Sequence, residues 1–346
     1  MGRWPALRNA LLVWLACFAS TTGSGCAGFR ACALPAPPLM AVLPPRLTQT
    51  GLFVPGSLAI EPGLVAFQPA FESWSDAASK RRWLALPFGT QIDTTNMDDW
   101  RFPLGTRVWK EFSLGGRRLE TRFLVKVGLS PRDWAGASYV WLADGSDALL
   151  ATAGAKDIAG TEHDAPPASR CSACHGGRQS YVLGFSAVQL AAAPRSAPLS
   201  LERLVRDGLL TRSPARTIVV PGDETERAAL GYLHANCAHC HNQHRPTGAG
   251  PRCFDPQRSI DFSLPAEPSA ESAGSSPVQR TAIPAFIVPG RPDESRMIEL
   301  VSRRGGISLH MPPLGSERVD ERGVQLLRRW IAKLAAGRGG SPPPRL

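Results

Sequence analysis

The chain has 346 residues, a hydrophobic fraction of 43% and a formal net charge of +10. This length is enough for two domains with their own cores, and the apolar fraction is ordinary for a globular protein. The basic residues are scattered and form no stripe interleaved with aromatic residues, so nucleic-acid binding is not expected and an acidic partner is favoured.

The first 26 residues have the layout of a secretory signal peptide. Arg3 and Arg8 precede an apolar run over residues 10–19, and small residues follow it. The run is too short to span a bilayer permanently. Cys26 is a candidate lipid anchor, and the proline-rich residues 27–46 predict an extended tether. These features predict export to the periplasm or the outer face of a bacterial membrane.

Residues 47–190 are predicted to form a mostly antiparallel β domain. Runs rich in β-branched and aromatic residues occur at 107–112, 121–127 and 138–142. Turn clusters such as Gly115-Gly116 separate these runs. We therefore expect a sheet with one side that packs Trp and Phe side chains.

Two pentapeptides, residues 171–175 and 237–241, share the pattern C-x-x-C-H. This pattern is typical of covalent haem attachment, because two thiols one helical turn apart can each form a thioether to a haem vinyl group and the next imidazole then faces the iron. The sequence therefore predicts two covalently attached c-type haems. The predicted attachment residues are Cys171, Cys174, Cys237 and Cys240, and the predicted iron ligands are His175 and His241.

Zinc binding and disulfide formation are the alternative uses of these cysteines. C-x-x-C pairs are ordinary zinc half-sites. Zinc, however, does not require a histidine directly after the second cysteine, and here one follows both times. Export also agrees with haem, because thioether attachment belongs to compartments outside the cytoplasmic membrane.

A helical region, residues 223–337, is predicted after a small-residue linker over 191–222. Asp223 is predicted to cap the helix that delivers Cys237 to an apolar face. The pattern predicts a last helix over residues 320–336.

Predictions also follow for three shorter segments of the C-terminal part. Pro292 and Asp293 are predicted to open a further helix with Met297 facing inward. Residues 263–277 are rich in Ser, Ala, Pro and Glu and are predicted to be a flexible surface insertion. The tail over 338–346 is predicted to be disordered.

The second haem needs a sixth iron ligand, and Met311 is the predicted one. Met311 is followed by two prolines, lies downstream of the motif and precedes the final helix, which is the arrangement of small monohaem cytochromes c. We therefore predict His241 and Met311 as the axial pair. The alternatives are that Met311 only packs in the core, or that Met297 is the ligand.

Residues 226–331 resemble class I cytochrome c domains. The resemblance is carried by Pro289-Gly290-Arg291-Pro292, Met311-Pro312-Pro313-Leu314-Gly315 and Trp330-Ile331. From residue 50 onward the chain is similar to a family of exported dihaem c-type cytochromes of unassigned physiological role, on segments that include Trp74-Ser75-Asp76, Lys80-Arg81-Arg82-Trp83 and Phe102-Pro103-Leu104-Gly105-Thr106. The resemblance implies an α+β multidomain chain with an all-α C-terminal cytochrome c domain, haem binding and electron transfer.

The sixth ligand of the first haem stays open among His163, Met97, Lys110, Lys126 and no ligand. A sheet followed by a haem motif resembles the β-sheet cytochromes of the c-prime beta class and their hydroxylamine-oxidising relatives, in which the haem has an open position. The leading hypothesis is a one-electron carrier with an acidic or membrane-associated redox partner. The alternative is a haem oxidoreductase that acts on NO, peroxide or a hydroxylamine-like molecule, with the second haem as relay.

Overall fold

The structure is a computed structural model that describes residues 43–193, 196–243, 260–267, 276–305 and 310–334. These residues belong to one compact unit that combines an antiparallel sheet with helices, so the α+β prediction is confirmed. The predicted signal peptide, most of the tether and the tail lie outside the described residues. The predicted domain boundaries stay predictions.

Six antiparallel strands form a sheet in which each strand pairs with the next along the chain. The strands are β1 (Val65–Ala66), β2 (Ser79–Ala85), β3 (Arg107–Leu114), β4 (Arg117–Lys126), β5 (Trp134–Trp141) and β6 (Ala148–Ala151). Gly115 and Gly116 join β3 to β4 with φ values of 57° and 80°. A two-residue hairpin turn of this hand needs positive φ at both positions, which glycine adopts without strain.

Both faces of the sheet are covered. The outer face buries Trp109, Phe123 and Trp141 against the segment around the 3₁₀ helix Leu47–Thr50. The inner face adds Leu84 and other apolar side chains to a second core that the helices share. The alternation of side chains along each strand thus supplies two separate apolar layers.

The helices are short apart from two. They are α1 (Cys171–His175), α2 (Ala187–Ala191), α3 (Leu201–Arg206), α4 (Glu224–Asn236), α5 (Pro277–Thr281), α6 (Arg296–Val301) and α7 (Glu321–Lys333), with 3₁₀ helices at Ile158–Gly160, Ala168–Arg170 and Pro292–Glu294. Within the described ranges, none is long and apolar enough to cross a membrane.

Helices α4 and α7 begin at capping aspartates. The side chain of Asp223 accepts from the backbone N–H of Glu226 at 2.9 Å, which confirms the predicted cap of α4. Asp320 does the same for Gly323 at 3.0 Å. Each cap satisfies a backbone donor that has no partner within the helix.

The inner core joins these two helices to the sheet. Leu233 of α4 and Leu327 and Trp330 of α7 lie in the same buried cluster as Leu84 of β2. Trp330 is only 2% exposed, so burial of its large apolar surface makes it a main contributor to helix packing. The helix that leads to the second motif is therefore fixed against α7 and the sheet together.

The prediction of a flexible surface insertion over 263–277 is wrong for its described parts, residues 263–267 and 276–277. Ser276 caps helix α5, and Pro277 is its first, buried residue. Leu264 and Ala266 are buried, with exposures of 5% and 4%. The backbone N–H of Leu264 donates to His234 Nδ1 at 3.1 Å. The Ser and Ala content indicated exposure, but the two apolar side chains and this hydrogen bond hold the segment on the core.

Candidate functional site

The first C-x-x-C-H motif is the short helix α1, which lies against the sheet. The 3₁₀ helix Ala168–Arg170 leads directly into it. The thiol of Cys171 lies 3.9 Å from the carbonyl oxygen of Gly136 on β5. Both cysteines of the motif are half-exposed and free. One helical turn separates the two sulfur atoms, which is the spacing that the sequence predicted.

The ring of His175 is oriented by a backbone carbonyl. Its Nδ1 lies 2.7 Å from the carbonyl oxygen of Tyr181, so Nδ1–H donates this bond and the lone pair is on Nε2. Burial lowers the pKa of His175 to about 3, against the opposing hydrogen bond to Tyr181. Metal-binding histidines are commonly fixed in this way by a carbonyl on the other ring nitrogen. His175 is therefore a neutral imidazole whose Nε2 carries a lone pair.

Aromatic contacts hold the partner of His175 in place. The Tyr181 ring lies 5.3 Å from the His175 ring and stacks on Trp134 of β5 at 6.0 Å, with the two planes 8° apart. The stacking of Tyr181 on Trp134 holds the loop after α1 against the sheet. The orientation of the histidine thus depends on the strand as well as on its own helix.

The second motif continues from the end of α4 as a tight turn. Cys237 follows the last residue of the helix, and its N–H donates to Leu233 at 2.9 Å. The backbone N–H of His241 donates to the carbonyl oxygen of Cys237 at 2.8 Å. Burial raises the pKa of the Cys237 thiol to about 12. The prediction that α4 delivers Cys237 to an apolar side is confirmed, because Cys237 packs against the main core.

An aromatic side chain borders His241. The ring of Phe262 lies 5.5 Å from the imidazole at an interplanar angle of 74°. The N–H of Phe262 also donates to the carbonyl oxygen of His241 at 3.1 Å. The second histidine thus has an aromatic neighbour, whereas the charges of Lys110 and Arg122 act on the first.

The two motifs contact each other, although they are far apart in the sequence. The thiol of Cys240 lies 3.7 Å from the carbonyl oxygen of Ala173. Burial opposes the charged form of His239, but interactions with Cys240 and Cys174 outweigh it and raise the pKa of His239 to about 10. His239 therefore bridges a cysteine of each motif.

The cysteines of the two motifs form neither disulfides nor a preformed metal cluster. Cys171, Cys174, Cys237 and Cys240 take part in no disulfide bond. Among the described residues, no group of three or more His, Cys, Asp or Glu side chains is arranged to hold a metal ion.

Three of the distal-ligand candidates for the first haem already have other contacts. His163 is buried, and its Nε2 lies 3.0 Å from Glu120 Oε1. Lys126 donates to the carbonyl of Ser130. Met97 is buried and lines a cavity with His234 and His239. Lys110 lies on the inner face of the sheet, and its charge helps to lower the pKa of His175.

Met311 is half-buried and held by its backbone. Its N–H donates to Leu300 at the end of α6 at 3.0 Å, and its carbonyl oxygen accepts from Arg304 at 3.0 Å. Met297, the alternative ligand, is 2% exposed in the core. The role of Met311 as the axial partner of His241 stays a prediction.

Two features of the site were not predicted: Tyr181 as the carbonyl partner of His175, and His234 and His239 as neighbours in one cavity. A backbone carbonyl carries no side-chain signature, so Tyr181 could not have been found from residue type. His234 and His239 flank Cys237 in the sequence, and this local excess of histidine was the one available signal. No protein-family model, curated protein or solved structure matches the chain.

Proposed function

We propose that the chain is an exported dihaem c-type cytochrome that binds two haems covalently and transfers single electrons. The observation that carries this proposal is the contact between the two C-x-x-C-H motifs, in which Cys240 lies against Ala173. Two haems on these motifs would be neighbours, and electrons could pass between them without a partner protein. A pair of unrelated structural turns would have no reason to meet in this way.

The residues present fit the haem group. Cys171 and Cys174 would hold the first haem, and Cys237 and Cys240 the second, by addition of each S–H across a vinyl double bond. The chemistry that the haem supplies is the exchange of one electron between ferrous and ferric iron. The Tyr181 carbonyl supports the fit, because it fixes the His175 tautomer that leaves Nε2 for iron.

The C-terminal part, residues 223–337, is proposed to be a class I-like cytochrome c domain with His241 and Met311 as axial ligands. Two capped helices of 13 residues each, α4 and α7, pack together here and support this assignment. The apolar surroundings of His241 suit an electron carrier, because burial of a haem raises its reduction potential. The proposed redox partner is an acidic or membrane-associated protein, since the chain carries a net charge of +10.

The proposed location is the periplasm or the outer face of a bacterial membrane. The signal-peptide pattern over residues 1–26 and thioether chemistry both belong there. A lipid on Cys26 would add a membrane anchor. Membrane attachment through the proline-rich segment would leave the haem-bearing part free to reach its partner.

A second candidate function is redox chemistry on a small molecule at the first haem. The observation that favours it is a buried acid and base near Cys171. Glu120 is fully buried, accepts from Arg122 Nε at 2.8 Å and contacts His163 at 3.0 Å. An electron relay alone does not need a buried carboxylate that is hydrogen-bonded to an imidazole and a guanidinium. Binding of CO to one ferrous haem per chain would favour this function over a pure carrier.

The decisive experiment counts covalent haems per chain, by mass and by pyridine haemochrome spectrum, after expression with a c-type maturation system. We expect two haems in the wild type. We expect one haem in Cys171→Ala/Cys174→Ala, and one in Cys237→Ala/Cys240→Ala, because each pair holds its own group. Ser172→Ala is the matched control, since it changes the same helix without removing a thiol. A colourless wild-type protein would refute the proposal.

A further inference from the structure

Three basic side chains form a row across the inner face of the sheet. Arg82 on β2 is the register partner of Lys110 on β3, and Lys110 is the register partner of Arg122 on β4. Like charges directly opposite each other on one face destabilise a sheet. A row of this kind needs compensating negative charge close by.

The cations cluster around one buried ring. The Phe112 ring centroid lies 5.2 Å from Lys110 Nζ, 4.4 Å from Arg122 Cζ and 5.9 Å from Lys80 Nζ. Phe112 itself is fully buried. The aromatic face offsets part of the positive charge, but a ring carries no net negative charge to balance the cations.

The two carboxylates on this face pair with the outer two cations of the row, and neither pairs with Lys110 between them. Glu72 pairs with Arg82 at 3.1 Å, and Glu120 pairs with Arg122. Across the described ranges, no carboxylate lies within ion-pair distance of Lys110, whose Nζ has Ser73 Oγ at 3.5 Å. The 3.5 Å separation is a weak hydrogen bond at best. The Nε of Arg82 is buried without a hydrogen-bond partner among the described residues.

These unsatisfied donors face a cleft. Arg82 and Lys110 line a narrow cleft between the sheet and α4, together with Ser73, Gly184, Gln189 and Ala235. Burial lowers the pKa of Lys110 well below its usual range, and the charges of Arg82 and Lys80 lower it further. An anion in the cleft would remove this penalty, because it would accept from both donors at once.

The row of cations also acts electrostatically on the first motif. The charges of Lys110 and Arg122 both act on His175, and the charge of Arg122 acts on Cys171. We propose that Arg82 and Lys110, with Arg122 beside them, form an anion-binding site for a carboxylate or a small oxyanion. The carboxylate could be a propionate of the first haem, a source that rests on the proposed function. A free small anion is the other source and does not rest on it.

The first arm of the test uses inorganic phosphate as the probe. Thermal unfolding of the haem-loaded protein is followed with increasing phosphate at constant ionic strength. If the site takes free anions, the wild-type midpoint rises by about 5 °C at a hundredfold excess over Kd. Lys110→Met should begin with a higher midpoint, because it removes a desolvated charge, and should bind phosphate at least about tenfold more weakly. Arg117→Gln, an exposed cation on β4, should behave as the wild type.

The second arm tests the haem propionate as the ligand. Resonance Raman spectra are recorded for Cys237→Ala/Cys240→Ala, which would carry only the first haem. If a propionate occupies the cleft, its bending band shifts when Lys110→Met is added and does not shift with Arg117→Gln. The phosphate response is then absent, since the site is already filled. Lys110→Gln serves as a second variant if Lys110→Met does not fold.

Either response supports the site and identifies its ligand. Neither response, or a phosphate response that Lys110→Met leaves unchanged, overturns it. A failure of haem attachment would refute the proposed function, while the phosphate titration of the haem-free protein would still test the anion site.

Discussion

The two C-x-x-C-H motifs have different surroundings. The first lies on a five-residue helix against the sheet, where Tyr181 orients its histidine and Lys110 and Arg122 lie nearby. The second ends a 13-residue helix in an apolar core, with Phe262 against its histidine. The same five-residue pattern therefore lies beside charged groups in the first motif, and beside an aromatic ring and the apolar core in the second.

The largest expected effect comes from removing the helical support of the second motif. Trp330→Ala should lower the free energy of unfolding by about 3–5 kcal/mol, because Trp330 is buried where α7 packs on the core. Urea denaturation measures this loss, and hydrogen exchange should show α4 amides opening before those of β3 and β4. Trp109→Ala, in the outer core of the sheet, is the matched control and should reverse that order. A loss below about 1 kcal/mol would contradict the packing described for α7.

The strands and long helices could be predicted from sequence because their side chains follow a simple period. Strands β3, β4 and β5 are confirmed, as are α4 and the buried face of α7. Strand β2 was not predicted, since three consecutive charged residues, Lys80 to Arg82, interrupt any apolar alternation, although Arg82 is buried. Arg82 faces the cleft on the inner side of the sheet, and Arg81 forms an ion pair with Glu111 on the outer side. These orientations follow from the pairing of β2 with β3.

The candidate site also has a part that could be predicted from the sequence and a part that could not. The cysteines and histidines of the motifs are local in sequence and could be identified from spacing alone. The contact of Cys240 with Ala173, the Tyr181 carbonyl and the row of cations all depend on which segments meet in three dimensions. No residue pattern within one segment carries that information.

A second experiment would sharpen the contrast between the haems. Met311→His should lower the reduction potential of the second haem by on the order of 100 mV, roughly 2 kcal/mol for one electron, because an imidazole stabilises ferric iron more than a thioether does. The first haem should keep its potential. Spectroelectrochemistry measures both, and Met297→Leu is the matched control because it should shift neither. If Met311→His leaves both potentials unchanged, Met311 is not an iron ligand.

The smallest expected effect concerns Lys80, one of the cations around Phe112 on the inner face of the sheet. Burial lowers the pKa of Lys80 to about 8, and the neighbouring Arg82 and Arg122 add to this against the attraction of Glu72. Between pH 8 and about 10.4 the unfolded chain therefore binds more protons than the folded one, so this group makes the free energy of unfolding rise with pH. The contribution is at most about 1 kcal/mol per pH unit.

Lys80→Met should remove this contribution and flatten the slope over that range, as measured by urea denaturation at several pH values. Lys333→Met, which changes an exposed lysine at the end of α7, should keep the wild-type slope. Equal slopes in all three proteins would show that Lys80 is not desolvated next to the other cations.

The contact between the two motifs also constrains the order of events during maturation. In the folded chain the Cys237 sulfur is buried and Ala173 lies against Cys240, so the second thiol pair is poorly accessible, whereas the first pair is half-exposed. A buried thiol with a raised pKa is also a poor nucleophile. Under the proposed function, the second haem would therefore have to be attached while the chain is still open. Folding would then enclose that cofactor, and a chain that closed too early would lack it.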